Sequence, residues 1–375
     1  MTATNLRPKL AFLMASAAFL WSCTTHEPPH GPDSAALQAR LEELQAQRAY
    51  VPGFAVVILR GNGRLTAAAT GVADSSGTPM TTETPVRMAS ITKTFVAAAV
   101  LRLAEEGMLE LDAPIQPLLA PDIDALLSGD GYDTGAISVR HILMHAAGLG
   151  DHFGTDAFVG GVLADPERVW TAKEQLALMT ELTDPLSQPG EAFAYSDGGY
   201  IVLGHIIERA TGEPLGAAVR RLTKLDALGL QDIRWEGEAP AEGLPTRAHQ
   251  YVGGIDTYGI HGSVDAFGGG GIVANAEDLA RFFSALFAGE VFEDPGTLAL
   301  MTSAPGHPPG SPYRLGLFET QKDGLTIYGH GGFWGTDVGV VPARGVTFVA
   351  VALEREGMGA VRDLAFAVAT GEGTD

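Results

Sequence analysis

Ser90, Ile91, Thr92 and Lys93 place a hydroxyl and an amine three residues apart at the start of a segment with helix-forming composition. At about 1.5 Å of rise per residue, positions i and i+3 lie one turn apart on one face, so the two side chains can share a proton. Serine is a weak nucleophile until a neighbouring base takes that proton, and this spacing supplies one without a distant histidine. A helix start adds unpaired backbone N–H groups, which suit the negative charge that develops during acyl transfer. With 14 serines and 5 lysines in 375 residues, roughly 0.2 such spacings arise by chance. An ordinary helix start with a solvated lysine has the same spelling, so partner residues must decide.

Two further short runs carry the chemistry an activated serine needs. Tyr195-Ser196-Asp197 follows Gln188-Pro189-Gly190 and precedes a helix-like segment, and His330-Gly331-Gly332 closes a predicted strand. With Ser90 and Lys93, in this order and spacing, they resemble the three motifs of the serine β-lactamase and penicillin-binding protein family, close to its class C enzymes, D-alanyl-D-alanine carboxypeptidases and related esterases. The resemblance extends through Arg140 to Leu149, Pro189 to Gly212, Gly268 to Val273 and the helix around Asp278 to Phe282, and so covers about residues 35–370.

That resemblance implies a two-step acyl transfer with no cofactor or metal. Ser90 attacks a carbonyl, Lys93 and Tyr195 move protons, and water releases the acyl group. The backbone N–H groups of Ser90 and Phe333 form the oxyanion hole, with Asp197, His330, Gly331 and Gly332 along the substrate. Glycines at 331 and 332 let a substrate lie against the strand. Two positions depart from the pattern. Asp197 stands where class C β-lactamases usually carry Asn, so an amide donor is replaced by an acceptor; its charge beside Lys93 favours the ammonium and shifts the role of base toward Tyr195. His330 stands where lysine is common, and a neutral imidazole recognises a substrate carboxylate weakly. Slow β-lactam hydrolysis and better turnover of small esters are therefore expected. The alternatives are a D-alanyl-D-alanine carboxypeptidase or β-lactamase acting on peptidoglycan or β-lactams, and a non-catalytic penicillin-recognising receptor or scaffold.

Other residues invite chemical readings that weigh less. His26-Glu27-Pro28-Pro29-His30 spells a zinc-protease motif, but two prolines forbid the helix it needs. His145 ends a helix-like segment and reads as structural, and His141, His152 and His205 lack metal-ligand spacing. The Gly268 to Gly271 run lacks the lysine of a phosphate loop and reads as close backbone packing.

Elements that position these residues follow from periodicity. Ser34 to Arg48 reads as an amphipathic helix, and Phe54 to Leu59 and Leu65 to Thr70 flank Gly61-Asn62-Gly63 as a hairpin. Helix-like segments dominate from Ser90 to about Leu228, including Thr171 to Leu182 and Gly198 to Ala210. Strand signals return at Thr326 to Tyr328, Val338 to Val341 and Val346 to Leu353, before a last helix from Met358 to about Ala369. Strands at both ends with helices between predict an α+β, β-lactamase/transpeptidase-like fold: an antiparallel sheet from both chain ends, flanked by helices, with an inserted helical lobe. The expected sheet lobe covers about residues 35–85 and 275–375 and the helical lobe about 86–274, with a cleft between them.

A net charge of −21 and scattered Lys and Arg exclude a nucleic-acid surface. Arg7 and Lys9 precede the apolar stretch Leu10 to Trp21, which is shorter than the roughly 20 residues of a membrane span and reads as an export signal over residues 1–22. Leu20-Trp21-Ser22-Cys23 resembles a bacterial lipobox, and Cys23 is the only cysteine, a use for which one suffices. The expected protein is a lipid-anchored envelope protein, tethered by residues 23–34 and lacking the Asp after Cys23 that favours inner-membrane retention, hence facing the periplasm from the outer membrane. Its expected partners are a small-molecule or peptidoglycan-derived substrate and the membrane; oligomeric state is left open.

Overall fold

Alternation along two strands builds the centre of the molecule. In β1 (Gly53–Arg60), Phe54, Val56 and Ile58 enter one apolar cluster while Ala55 and Val57 enter another, the period-2 partition of a sheet buried on both faces. The last strand of the chain repeats it, with Phe348, Ala350 and Ala352 on the first side and Val349 and Val351 on the second. The computed structural model describes residues 32–237 and 246–371. The expected export signal, Cys23 and most of the expected tether lie outside the described residues. The tether ends earlier than expected: α1 (Pro32–Gln47) already contains Ser34, whose hydroxyl accepts a hydrogen bond from the Ala67 amide at 3.2 Å.

After α1 and β1, β2 (Leu65–Gly71) completes the hairpin, and β3 (Val86–Arg87) leads to α2 (Thr92–Glu105). The helical lobe follows: α3 (Pro121–Gly129), α4 (Val139–Leu143), α5 (Asp156–Ala164), α6 (Ala172–Leu182), α7 (Asp197–Thr211) and α8 (Leu215–Leu222). Three short strands, β4 (Arg234–Trp235), β5 (Tyr251–Val252) and β6 (Ile255–Asp256), come before β7 (Ile272–Ala274), α9 (Ala276–Phe287) and α10 (Pro295–Ser303). The chain ends with β8 (Phe318–Lys322), β9 (Leu325–Gly332), β10 (Thr336–Val341), β11 (Val346–Ala352) and α11 (Met358–Thr370).

The main sheet has the order β2-β1-β11-β10-β9-β8 and is antiparallel throughout, so both chain ends meet in it at the β1–β11 pair. Leu37 and Leu41 of α1 and Val361, Ala365 and Phe366 of α11 cover one face, while α9 and the buried α2 lie under the other. A smaller sheet, β3-β7-β4, joins the two lobes and was not legible in the periodicity, because each strand has only two or three residues. Nearly every side chain of α2 from Thr92 to Leu103 is buried, the mark of a helix packed on all sides. Lys93 is among them, and a buried ammonium must find partners.

Candidate active site

Ser90 occupies a single 3-10 turn, Ala89 to Ile91, immediately before α2. The turn is clamped from two sides. The Met88 amide donates to the Ile272 carbonyl of β7 at 2.9 Å, and the Thr336 hydroxyl of β10 donates to the Met88 carbonyl at 3.3 Å. Ala89 holds a φ of 46°, a left-handed conformation that a non-glycine residue adopts only where surrounding structure enforces it. Strain of this kind just before Ser90 aims the hydroxyl into the cleft.

Lys93 has no exposed surface and donates to three acceptors: the Ser90 hydroxyl at 3.1 Å, the Gly269 carbonyl at 2.6 Å and the Asp197 carboxylate. Three acceptors match the three N–H groups of an ammonium and leave no lone pair. Burial disfavours this charge, but Asp197, with Tyr195, outweighs it and holds the ammonium above its ordinary range. Gly269 is needed for the approach, since a Cβ there would come within 2.9 Å of the Asp197 carboxylate. Tyr195 lies against both groups. Its phenol interacts with Lys93 and Ser90, its ring sits 5.0 Å from the Lys93 nitrogen, and burial pushes it up to about 12 against the lowering charge of Lys93. Ser196 caps α7 by accepting from the Gly199 amide at 3.0 Å, which fixes Tyr195 and Asp197 on either side of the cap.

His330 is buried at the end of β9 with both ring nitrogens in use. A carbonyl only accepts, so the 2.8 Å contact with Gly331 O assigns the proton to Nδ1, and Nε2 accepts from the Tyr313 hydroxyl at 3.0 Å. Burial first and the charge of Lys93 second push its pKa down to about 3, so the ring is neutral. Expected to face a substrate carboxylate, it has no free donor for one. Gly332 packs so tightly that a Cβ would strike the Met88 carbonyl and the Thr336 hydroxyl, which locks β9 to the Ser90 turn. Because β8 pairs with β9 only as far as Gly329, the edge from His330 to Gly332 is unpaired among the described residues and opens to the cleft.

These residues surround one cavity of about 720 Å³, lined by Ser90, Tyr195, Asp197, His330, Gly331 and Phe333 among others. Asp151, unforeseen in the sequence, also lines it. Its carboxylate accepts from the amides of Phe153 at 3.2 Å and Asp197 at 3.4 Å, and burial together with the charge of Asp197 raises its pKa to about 7.

A beta-lactamase family model matches residues 37–371. The chain belongs to the beta-lactamase family. Among its relatives, esterase EstB of Burkholderia gladioli is 33% identical over 298 residues, 71% of this chain and 74% of the esterase. A D-aminopeptidase of Brucella anthropi is 26% identical over 321 residues, 80% of this chain but only 55% of that protein. Among solved structures, a D-stereospecific amidohydrolase from Streptomyces sp. superposes with a TM-score of 0.75 at 27% identity, covering 91% of this chain and 99% of that one. The octameric penicillin-binding protein homologue from Pyrococcus abyssi reaches 0.75 at 24% identity over 91% and 78%, a likeness of fold.

Within this family fold the three motifs read from the sequence converge on one cleft. Ser90, Lys93, Tyr195 and Asp197 share a network, and Gly331, Gly332 and Phe333 form the facing strand end. Cys23 lies outside the described residues. Sequence reasoning missed Asp151, Tyr313 and the setting of His145. The His145 ring packs tilted against Tyr195, with centroids 4.2 Å apart, and accepts from the Ser196 amide on Nδ1 at 3.1 Å, so it holds the Tyr195 segment from behind. Its own left-handed φ of 53°, one residue before an alanine pair, is not a signal that spacing carries.

Proposed function

We propose that the protein is a serine hydrolase that forms an acyl-enzyme on Ser90 from an ester or amide carbonyl and releases the acid to water. The observation that carries this reading is the Ser90 hydroxyl at 3.1 Å from a Lys93 ammonium that Asp197 and Gly269 hold charged, with the Tyr195 phenol against both. A lysine without a lone pair is no base. In the reading, Tyr195 as phenolate takes the Ser90 proton while Oγ bonds to the carbonyl carbon, and Lys93 stabilises the phenolate. The oxyanion accepts from the Ser90 and Phe333 amides. As the carbonyl re-forms, Tyr195 returns its proton to the departing alcohol or amine, and water repeats the sequence to free Ser90.

Esters rank ahead of β-lactams because neither His330 nor Asp197 offers a donor to a β-lactam's carboxylate or amide, and the esterase relative supports that ranking. Ser90→Ala should lower turnover of p-nitrophenyl acetate by a factor of about 1,000 or more and abolish labelling by a fluorophosphonate. Fast nitrocefin hydrolysis beside an inert ester would reverse the ranking, and stable labelling without turnover would favour a receptor.

Asp151 favours a second reading, an amidase for substrates with a free amine, in line with the aminopeptidase and amidohydrolase relatives. A carboxyl with a pKa of about 7 in the cavity wall is an ammonium partner once ionised. KM for an amino acid amide should then fall as pH rises through about 7, and a flat KM would remove this reading. Export and lipid anchorage at Cys23 are part of the proposal and rest on the apolar leader and lipobox-like sequence.

A further inference from the structure

One limb of the cavity has a composition that the proposed chemistry does not require. Beyond Ser90 it is walled by Phe158, Val162, Ile260 and Trp334, members of an apolar cluster separate from the two that sandwich the main sheet, and by Phe153 and Phe333, which pack against that cluster. The limb does not close over itself. Val159 and Leu163 of α5 and Ile255 of β6 also line it, and they are 45%, 52% and 54% exposed. Large apolar side chains gathered at the mouth of one cavity are not the scattered singles of an ordinary surface.

The sequence of α5 makes the same point. A surface helix normally carries polar residues on its outer face. Here Phe158 and Val162 form one i, i+4 stripe turned inward and Val159 and Leu163 form the adjacent one turned outward, while Asp156 is the only charged residue from 156 to 164. Apart from Asp151, which accepts from the Phe153 and Asp197 amides, the ionic groups named here are already engaged. Asp197 holds Lys93, Asp265 accepts from the Trp334 indole at 3.2 Å, and Arg355 stacks 4.3 Å from the centre of the Phe333 ring. An acetyl group fills little of about 720 Å³, a volume within the range that encloses drug-sized ligands.

We infer that the substrate bears an extended apolar chain of about eight or more carbons, held against Phe158, Val162 and Trp334 and leaving the cavity between Val159, Leu163 and Ile255. The inference rests on the proposed acyl transfer at Ser90 and names its substrate class: a hydrophobic acyl ester or amide in place of the small polar or carboxylate-bearing substrates that the sequence left open. Its energetic basis is burial, worth about fourfold in affinity for each methylene removed from water.

The test has two arms. In the first, kcat/KM is measured on p-nitrophenyl acetate, butyrate, octanoate and decanoate. It should rise at least tenfold from acetate to octanoate, and the double variant Val159→Asp, Leu163→Asp should lower the octanoate-to-acetate ratio at least tenfold. In the second, Ser90→Ala is titrated with acetamide and octanamide, followed by tryptophan fluorescence, and octanamide should bind at least tenfold more tightly. Equal binding of the two amides, or a kcat/KM that declines from acetate onward, overturns the inference even if the enzyme is active. Chain-length-dependent binding without turnover of any ester or labelling of Ser90 upholds the apolar site and sinks the proposed function. A double variant with normal melting temperature and an unchanged ratio overturns the role of α5.

Discussion

At the scale of single residues, the site's pH behaviour follows from which group holds the last proton. Three acceptors keep Lys93 charged and without a lone pair, while burial pushes the Tyr195 phenol up to about 12, so the proposed base is the phenol. In the proposed mechanism the reactive form is the deprotonated phenol, which burial makes scarce at neutral pH. Activity should therefore climb with pH, close to tenfold per unit, across pH 6–9 in initial-rate measurements on a small neutral ester, about as the phenolate fraction does. A bell centred near neutrality would contradict this assignment of the base. The charge of Asp197 contributes to holding Tyr195 up, so Asp197→Asn should move the rising limb toward lower pH by about one unit. Tyr195→Phe should cost a factor of about 100 to 10,000 in kcat at fixed pH. Ser90 and Lys93 were legible from their own spacing, and Tyr195 and Asp197 from the resemblance of the Tyr195-Ser196-Asp197 run to a family motif. Asp151, His145 and Tyr313 were not: each matters through a ring contact or hydrogen bond to a residue at least 17 positions away, which no local spacing encodes.

Among elements, the relation that counts is the seating of β9 on the Ser90 turn. The proposed oxyanion donors come from two distant segments, and they are brought together where Gly332 meets the Met88 carbonyl. Gly332→Ala must push these segments apart by the width of a methyl group. Displacement of an oriented group by about 1 Å is enough to slow a reaction about 100-fold. We expect a loss in kcat of that order, with a stability loss limited to about 1–3 kcal/mol as in other overpacked sites, measured by ester turnover and chemical denaturation of the same preparation. Retained kcat with a large loss of stability would assign Gly332 to the fold alone. The strands β1, β10 and β11 were visible as apolar runs, and α6, α7 and α11 as helix-like segments. By contrast, β8 was not seen, because Phe318-Glu319-Thr320-Gln321-Lys322 is a polar edge strand with no buried face to impose alternation. The 3-10 turn at Ser90 was read as the first turn of α2, since the same residues satisfy both.

The whole molecule joins residues 54 and 352 in one strand pair, which makes the sheet a product of both chain ends, and the cleft a product of the sheet. Reading strands at each end and helices between was enough to foresee that arrangement, whereas the three-stranded sheet between the lobes was too short to leave a pattern. The same scale bears on the proposed membrane attachment. No helix among the described residues is long and apolar enough to cross one. With a net charge of −21, the body of the protein is repelled by anionic lipid headgroups rather than held by them. In the proposed anchorage the attachment comes from acyl chains at Cys23, and more than one is required because a single chain binds only marginally. Under the proposed modification of Cys23, the intact protein should fractionate with envelope membranes and incorporate labelled palmitate. Cys23→Ser should appear in the soluble fraction with unchanged melting temperature and unchanged ester turnover, because the described residues that line the cleft all come from Ala89 onward. Membrane retention of the Cys23→Ser protein in high salt would place the attachment elsewhere, and the exposed apolar mouth formed by Val159, Leu163 and Ile255 is the surface on which to look for it.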